Sequence, residues 1–215
     1  MAPLGRIPEA TVARLPLYLR GLDAFPVGVT ATVSSDELAD LAGVNAAKVR
    51  KDLSHLGTYG TRGVGYDATF LRFQISQALG VANVWPVVVC GMGNLGRALA
   101  NHTGFTDRGF PVVAATDSDP DKIGTVVDGV PVHAPVELGD IVRRLGVAIG
   151  VISTPAEAAQ GTADALVAAG VMSIMSFAPT VLSAPDEVKI RSVDLATELQ
   201  ILGFHLHRDR IAGDS

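Results

Sequence analysis

The apolar run Val87-Val88-Val89-Cys90 breaks directly into Gly91-Met92-Gly93-Asn94-Leu95-Gly96, and no other stretch limits the fold as tightly. Four apolar residues followed by glycines at this spacing read as a buried strand turning into a helix whose N-terminus accepts a pyrophosphate. Gly91 makes the turn, Gly93 permits close approach of the pyrophosphate, and Gly96 lets the helix pack on the strand, with Met92, Asn94 and Leu95 completing the loop. Such a turn usually stands near the start of its domain, yet 90 residues precede it here. That front segment requires a fold of its own.

After Trp85 the pattern alternates strand and helix. Strands read at 87–90, 112–116, 130–133, 147–153, 171–177 and 188–193, and helices at 94–102, 135–145 and 155–169. Strands this apolar are covered on both faces, which predicts an α/β fold with a doubly wound parallel sheet. The second strand ends Ala115-Thr116-Asp117, placing an acid about 20 residues beyond the last glycine, where a ribose 2′-hydroxyl acceptor belongs. Asp117 would repel a 2′-phosphate, and Ser118-Asp119-Pro120-Asp121 brings no cation before Lys122, so NADH or NAD+ is expected over the phosphorylated cofactor. Asp119 is a fallback acceptor if the strand runs longer. Ser153-Thr154-Pro155 and Phe177-Ala178-Pro179 close the fourth and fifth strands, where an open sheet presents its loops to a ligand. Thr154, Pro155, Phe177 and Pro179 are therefore candidate cofactor contacts. Each is equally explained as a helix start or a turn.

The front segment resolves into short helices. Pro8 suits a first helical position, and Val12, Leu15, Leu19 and Leu22 share one face, with Pro16 expected to kink the helix. Ser34 and Glu37 have capping-box spacing, Leu38 and Leu41 give the buried stripe, and Gly43 is placed for a left-handed cap. Asn45 then caps a helix with Ala46, Val49, Leu53 and Leu56 inward, Lys48, Lys51 and His55 outward, and Arg50 and Ser54 on the flanks, ended by Gly57. Two short helices about a glycine turn make a helix-turn-helix. Residues 58–66 follow as a glycine hairpin with Tyr59 and Tyr66 on its arms and Arg62 at the tip, which is a wing. An arginine there is what a narrow, negative minor groove attracts. Asp67 caps a further helix carrying Phe70, Leu71, Ile75 and Leu79, and Gly80 ends it. The expected domains are 1–80, a winged helix-turn-helix; 81–193, the dinucleotide unit; and 194–215, a terminal helix.

That last helix is apolar nearly all round, through Leu195, Leu199, Ile201, Leu202, Phe204 and Leu206, so it needs cover on more than one side. Either its own sheet or a partner subunit would supply it.

Charge decides whether nucleic acid is a reasonable partner. A pI near 5.5 argues against it for the whole chain. The first 80 residues, however, hold eight Lys and Arg against seven Asp and Glu, while the remaining 135 hold nine against fifteen. An acidic ligand domain is thus joined to a locally basic reading head. The one cysteine, Cys90, excludes an intrachain disulfide and a thiolate metal site. No apolar run reaches the roughly 20 residues of a membrane span, and the cytoplasm is the expected compartment.

Taken together, the segment Val49-Arg50-Lys51-Asp52-Leu53-Ser54, the wing from Tyr59 to Tyr66, the Gly91 to Gly96 turn, Asp117 to Pro120, Phe177-Ala178-Pro179 and Val193-Asp194-Leu195 resemble the Rex family of bacterial redox-sensing repressors. The resemblance runs from about Ile7 to Arg208. It implies a homodimer with an exchanged C-terminal helix, binding operator DNA when NADH is scarce and released by NADH. By the same resemblance Lys48, Arg50, Lys51 and Ser54 would face the major groove or its phosphates, Arg62 the minor groove, and Arg20 would pair with Asp194 across the dimer in one state. Two positions depart from the family pattern: Ser176 stands where Asn is common, and His102 where some members carry a Tyr near the nicotinamide. The rival classes are an NAD(H)-dependent oxidoreductase, with His102, His133, His205 and His207 as proton donors, and a CoA- or nucleotide-binding protein without DNA function.

Overall fold

The computed structural model describes residues 7–25, 31–57, 60–61, 64–81 and 83–213. The chain divides into two compact units, Met1–Asn83 and Val84–Ser215.

The first unit contains α1 (Glu9–Val12), α2 (Leu15–Leu22), β1 (Thr32–Val33), α3 (Ser35–Ala42), α4 (Ala46–Ser54), β2 (Tyr66–Asp67) and α5 (Ala68–Leu79). The expected single kinked helix is two helices. The break falls at Ala13 and Arg14, which puts Pro16 in the first turn of α2, where its missing N–H has no intrahelical acceptor to lose. The restart shifts the helical phase, so Val12 is 42% exposed while Tyr18 is buried. Leu41 also departs from the expected stripe at 45% exposure, although its Cβ and one terminal methyl face Gly21. Phe70 is exposed, and Leu71 and Ile75 carry the α5 face of the core.

The caps read from the sequence form. Ser34 Oγ accepts from the Glu37 N–H at 3.1 Å and Glu37 Oε2 accepts from the Ser34 N–H at 2.8 Å. Asn45 and Asp67 cap α4 and α5 through the N–H groups of Lys48 and Phe70, and Gly43 and Gly80 close their helices left-handed. An additional short strand, β1, not expected from the residue pattern, pairs antiparallel with β2 in the register Val33↔Tyr66. At the base of the wing Gly65, with φ +101°, brings its Cα so close to β1 that a Cβ would lie 2.4 Å from the Val33 carbonyl oxygen.

The second unit runs β3 (Val87–Cys90), α6 (Asn94–Ala100), α7 (Thr103–Thr106), β4 (Val112–Thr116), β5 (Val126–Val127), β6 (Val130–His133), a 3-10 turn (Pro135–Glu137), α8 (Leu138–Leu145), β7 (Ile149–Ile152), α9 (Ala156–Ala168), β8 (Ser173–Ser176), β9 (Lys189–Ser192) and α10 (Leu195–Gly213). The sheet order is β5-β6-β4-β3-β7-β8-β9, parallel except for the β5–β6 hairpin. All six expected strands are present, the last three shorter at both ends. From β3 the chain winds outward through β4 and β6, then returns to β7 on the other side of β3, which makes the β3–β7 boundary the switch point where a doubly wound sheet opens a crevice. On one face α8 and α9 pack Leu138, Ile141 and Leu166 against Val88, Cys90 and Ile174. On the other, Val87, Val89, Met92 and Val151 pack with Leu99 and Phe110. Along α10 the residues Leu195, Leu199, Leu202, Phe204 and Leu206 are each about 60% exposed or more.

Candidate functional site

A cavity of about 720 Å³ opens at the carboxyl ends of β3, β4 and β7. Its floor is the glycine turn. Gly91, at φ +98°, has a Cα so near β7 that a Cβ would sit 2.8 Å from the Ser153 carbonyl oxygen, and Ser153 Oγ donates to the Gly91 carbonyl at 2.8 Å. A Cβ on Gly96 would lie 1.9 Å from the Gly91 oxygen, so the third glycine lets α6 close onto the turn itself. Gly93 differs: a Cβ there meets nothing within 4 Å. That open side of the turn is where a pyrophosphate would lie, and α6 begins beyond it without a side-chain cap.

Asp117 stands at the end of β4 with 10% of its side chain exposed. Its Oδ2 accepts from the Met92 N–H at 2.7 Å and from Lys122 Nζ at 3.1 Å, and its Oδ1 accepts from the Asp119 N–H at 2.8 Å. Burial pushes this carboxyl upward, but the two backbone donors and the ammonium outweigh it and hold the group below the usual carboxylate range. The hydrogen bond to Asp117 in turn raises Lys122. An ionised carboxylate offers about four lone-pair positions, and three are filled. The fourth fits a ribose hydroxyl.

Of the residues expected to hold a cofactor, Gly91, Gly93, Asp117, Ser118, Thr154 and Pro155 line this cavity. Thr154 Oγ1 is buried with no protein partner, the state of a group that awaits a ligand. Thr154 and the bare side of Gly93 both fit a dinucleotide. Met92 contributes through its backbone N–H while its side chain is buried in the core. Asn94, Leu95, Gly96, Phe177 and Pro179 are not among the lining residues. Pattern reading missed the opposite wall, formed by Pro135 and Leu138 and by Ala158, Gly161, Thr162 and Ala165 of α9. Small residues at helical spacing on α9 were the available signal. Cys90 also lines the cavity, and burial pushes its thiol up to about 11, leaving it neutral. Ser176 is buried, its Oγ accepting from the Ala178 N–H at 3.3 Å. His102 precedes α7 and packs edge-on against Phe105. Asp194 caps α10, accepting from the N–H groups of Ala196 and Thr197.

In the first unit Lys48, Arg50, Lys51 and Ser54 are exposed along α4, and Arg20 is exposed on α2. Ser54 Oγ donates to the Lys51 carbonyl at 2.7 Å. His55 is half-buried, with Nε2 unpartnered. Arg50 borders a groove it shares with Ser34, Ser35, Gly60, Thr61 and Val64, between the start of α3 and the wing. Tyr59 and Arg62 lie outside the described residues.

The feature that places α4 was missed. Asp52 is 1% exposed and accepts from Thr11 Oγ1 at 2.8 Å, Tyr18 Oη at 2.7 Å, and Arg14 Nε and Nη2 at 2.6 and 2.8 Å. Burial alone would raise this carboxyl; the donors from Arg14, Tyr18 and Thr11 overcome that and keep it low. The signal was an acid three residues beyond Val49, in phase with the inward face.

A doubly wound sheet with an acid-marked, glycine-floored crevice, carried on one chain with a basic helix-turn-helix, is the build of a ligand-responsive transcription regulator. Two family models match: residues 6–54 match the one described as "Putative DNA-binding protein N-terminus", and residues 82–180 match the one described as "CoA binding domain". The redox-sensing transcriptional repressor Rex of Streptomyces avermitilis is 61% identical over 202 residues, covering 94% of this chain and 80% of that protein. Among solved structures, RSP, a Rex-family repressor, superposes in complex with NAD+ and operator DNA at a TM-score of 0.88, with 32% identity over 97% of this chain and 96% of that one. RSP in complex with NADH superposes at 0.85, with 31% identity over 97% and 98%. The chain belongs to the Rex family of redox-sensing transcriptional repressors.

Proposed function

We propose that this chain is a cytoplasmic homodimeric repressor that holds operator DNA when NADH is scarce relative to NAD+ and leaves it when NADH binds, with no catalytic turnover of its own. The observation that carries the reading is the coexistence, on one chain, of the exposed basic face of α4 and a crevice whose Asp117 keeps one acceptor position for a ribose hydroxyl. Gly91, Gly93, Asp117, Ser118, Thr154 and Pro155 hold the dinucleotide, and Phe177 and Pro179 border its nicotinamide end together with His102. Lys48, Arg50, Lys51 and Ser54, with His55 and Tyr59 beside them, meet the major groove and its phosphates, and Arg62 the minor groove.

The exposed apolar surface of α10 supports exchange of this helix between subunits, since a helix bare on several sides is stable only when covered. The second unit also leaves an apolar groove of about 370 Å³ beside Val87, Ile149, Val151 and Met175. Arg20 and Asp194 form the pair that one dimer arrangement makes and the other breaks.

Two recognition helices must reach half-sites about one helical turn apart, so a modest rotation between subunits ends simultaneous contact. NADH needs only to favour the arrangement that misses. A coupling of about 1 to 3 kcal/mol changes affinity roughly 5- to 150-fold, and by reciprocity operator DNA weakens NADH binding by the same factor. NAD+ occupies the crevice and switches little if both arrangements bind it equally.

The test is a gel shift on a palindromic duplex with titrated NADH, using NAD+, NADPH and CoA as controls. NADH alone is expected to release the duplex, and Arg62→Ala to weaken duplex binding while leaving NADH affinity intact. A duplex complex indifferent to NADH, accompanied by turnover of a metabolite, would overturn the reading in favour of an oxidoreductase.

A further inference from the structure

The acid that marks the ribose position is not a lone acceptor. Lys122 Nζ lies 3.1 Å from Asp117 Oδ2 and 3.4 Å from Asp119 Oδ2, and all three side chains line the cavity. Among the described lining residues Lys122 is the one cation. Two carboxylates and one ammonium leave the cluster with a net charge of −1, which opposes a 2′-phosphate even though a cation is already in place beside it. Like charges brought together in a partly desolvated site are strongly unfavourable, whereas an ammonium of this kind is a general phosphate ligand.

We propose that Lys122 is a specificity-determining residue of this cavity: Asp117, which enforces acceptance of the unphosphorylated dinucleotide, masks it, and once the charge at 117 is removed Lys122 becomes the cation that receives a 2′-phosphorylated one. The inference rests on the dinucleotide reading above. The position of Lys122 does not depend on the ion pair. Its N–H donates to the Asp119 carbonyl at 3.0 Å, and its own carbonyl accepts from the Thr125 N–H at 3.1 Å and Thr125 Oγ1 at 2.6 Å, so the turn keeps the lysine where it is. Asp117→Asn retains an oxygen for the Met92 N–H while making the cluster neutral.

The experiment measures NADH and NADPH affinity of the full chain by titration calorimetry, for the natural sequence and for Asp117→Asn, Lys122→Met and the double variant. Asp117→Asn is expected to bind NADPH about tenfold more tightly than the natural sequence, the threshold of a single well-placed charge contact, and the double variant to lose that gain. Lys122→Met alone is expected to widen the preference for NADH over NADPH, because the carboxylates then stand uncompensated. NADPH affinity unchanged in Asp117→Asn while NADH still binds, or a gain that survives Lys122→Met, overturns the proposal. Should Asp117→Asn fail to fold, an unchanged NADH to NADPH ratio in Lys122→Met overturns it equally. A natural sequence that binds neither dinucleotide removes the underlying reading as well, and is told apart from the other failures by that first titration.

Discussion

Asp52 in the first unit and Asp117 in the second are both enclosed carboxylates held below their ordinary range by hydrogen bonds that outweigh burial. They differ in what is left over. Asp52 receives four donors, two on each oxygen, which fills its acceptor capacity and ties α4 to α1 and α2. Asp117 receives three, on a cavity wall, and keeps a position in reserve. A satisfied buried acid fixes geometry, whereas one short of a donor defines a binding site. The two units use the same chemistry for opposite ends: one fixes α4 against its neighbours, the other leaves a place for a ligand.

The comparison is tested most severely at Asp52. Asp52→Ala leaves the Arg14 guanidinium and the Tyr18 hydroxyl without their acceptor, and is expected to cost about 3 kcal/mol, the range for breaking one side of a buried pair. Urea titration should show early loss of helical circular dichroism while Trp85 fluorescence, reporting on the second unit, and NADH affinity are retained. Equal loss of both signals would show that the hub serves the whole molecule.

A pair of glycine substitutions sharpens the other side. Gly96→Ala drives a Cβ into the Gly91 carbonyl, and is expected to destabilise the second unit by about 2 kcal/mol, as overpacking does. Gly93→Ala meets no neighbour and should leave the melting temperature unchanged while weakening NADH binding. If thermal melting and calorimetry gave the two variants the same profile, the distinction between a packing glycine and a cradle glycine would fail.

The smallest effect is at α3. Ser34→Ala removes one half of the capping box, and a loss of about 1 kcal/mol is expected in the first unit, measured by the shift in urea midpoint at constant slope.

Periodicity and caps made much of this readable in advance. Glycine spacing located the crevice, and the distance from Gly96 to Asp117 located its acid, because a strand, a turn and a crossover have nearly fixed lengths. The caps at Ser34, Asn45 and Asp67 were legible because each hydrogen bond spans three residues. What escaped reading was long-range. The Asp52 hub joins residues 34 to 41 positions apart. The α9 wall of the cavity is brought to the glycine turn only by the sheet order, and β1 exists only because β2 lies beside it. Val12 carried the right residue type on a face whose phase the helix break before Leu15 changed, and Leu41 packs against Gly21 at the edge of the core, where part of it stays exposed.

By itself the sequence determined which segments turn, coil or pleat, and that a glycine turn and an acid would each close a neighbouring strand, because local hydrogen bonds and side-chain periodicity act within a few residues. Only the tertiary structure decided that Asp52 would be saturated, that Asp117 would keep one acceptor beside a masked lysine, and that Thr154 would be left unpaired at the wall. Those outcomes depend on which donors the fold brings within about 3 Å, a range at which hydrogen bonds act and about which spacing along the chain is silent.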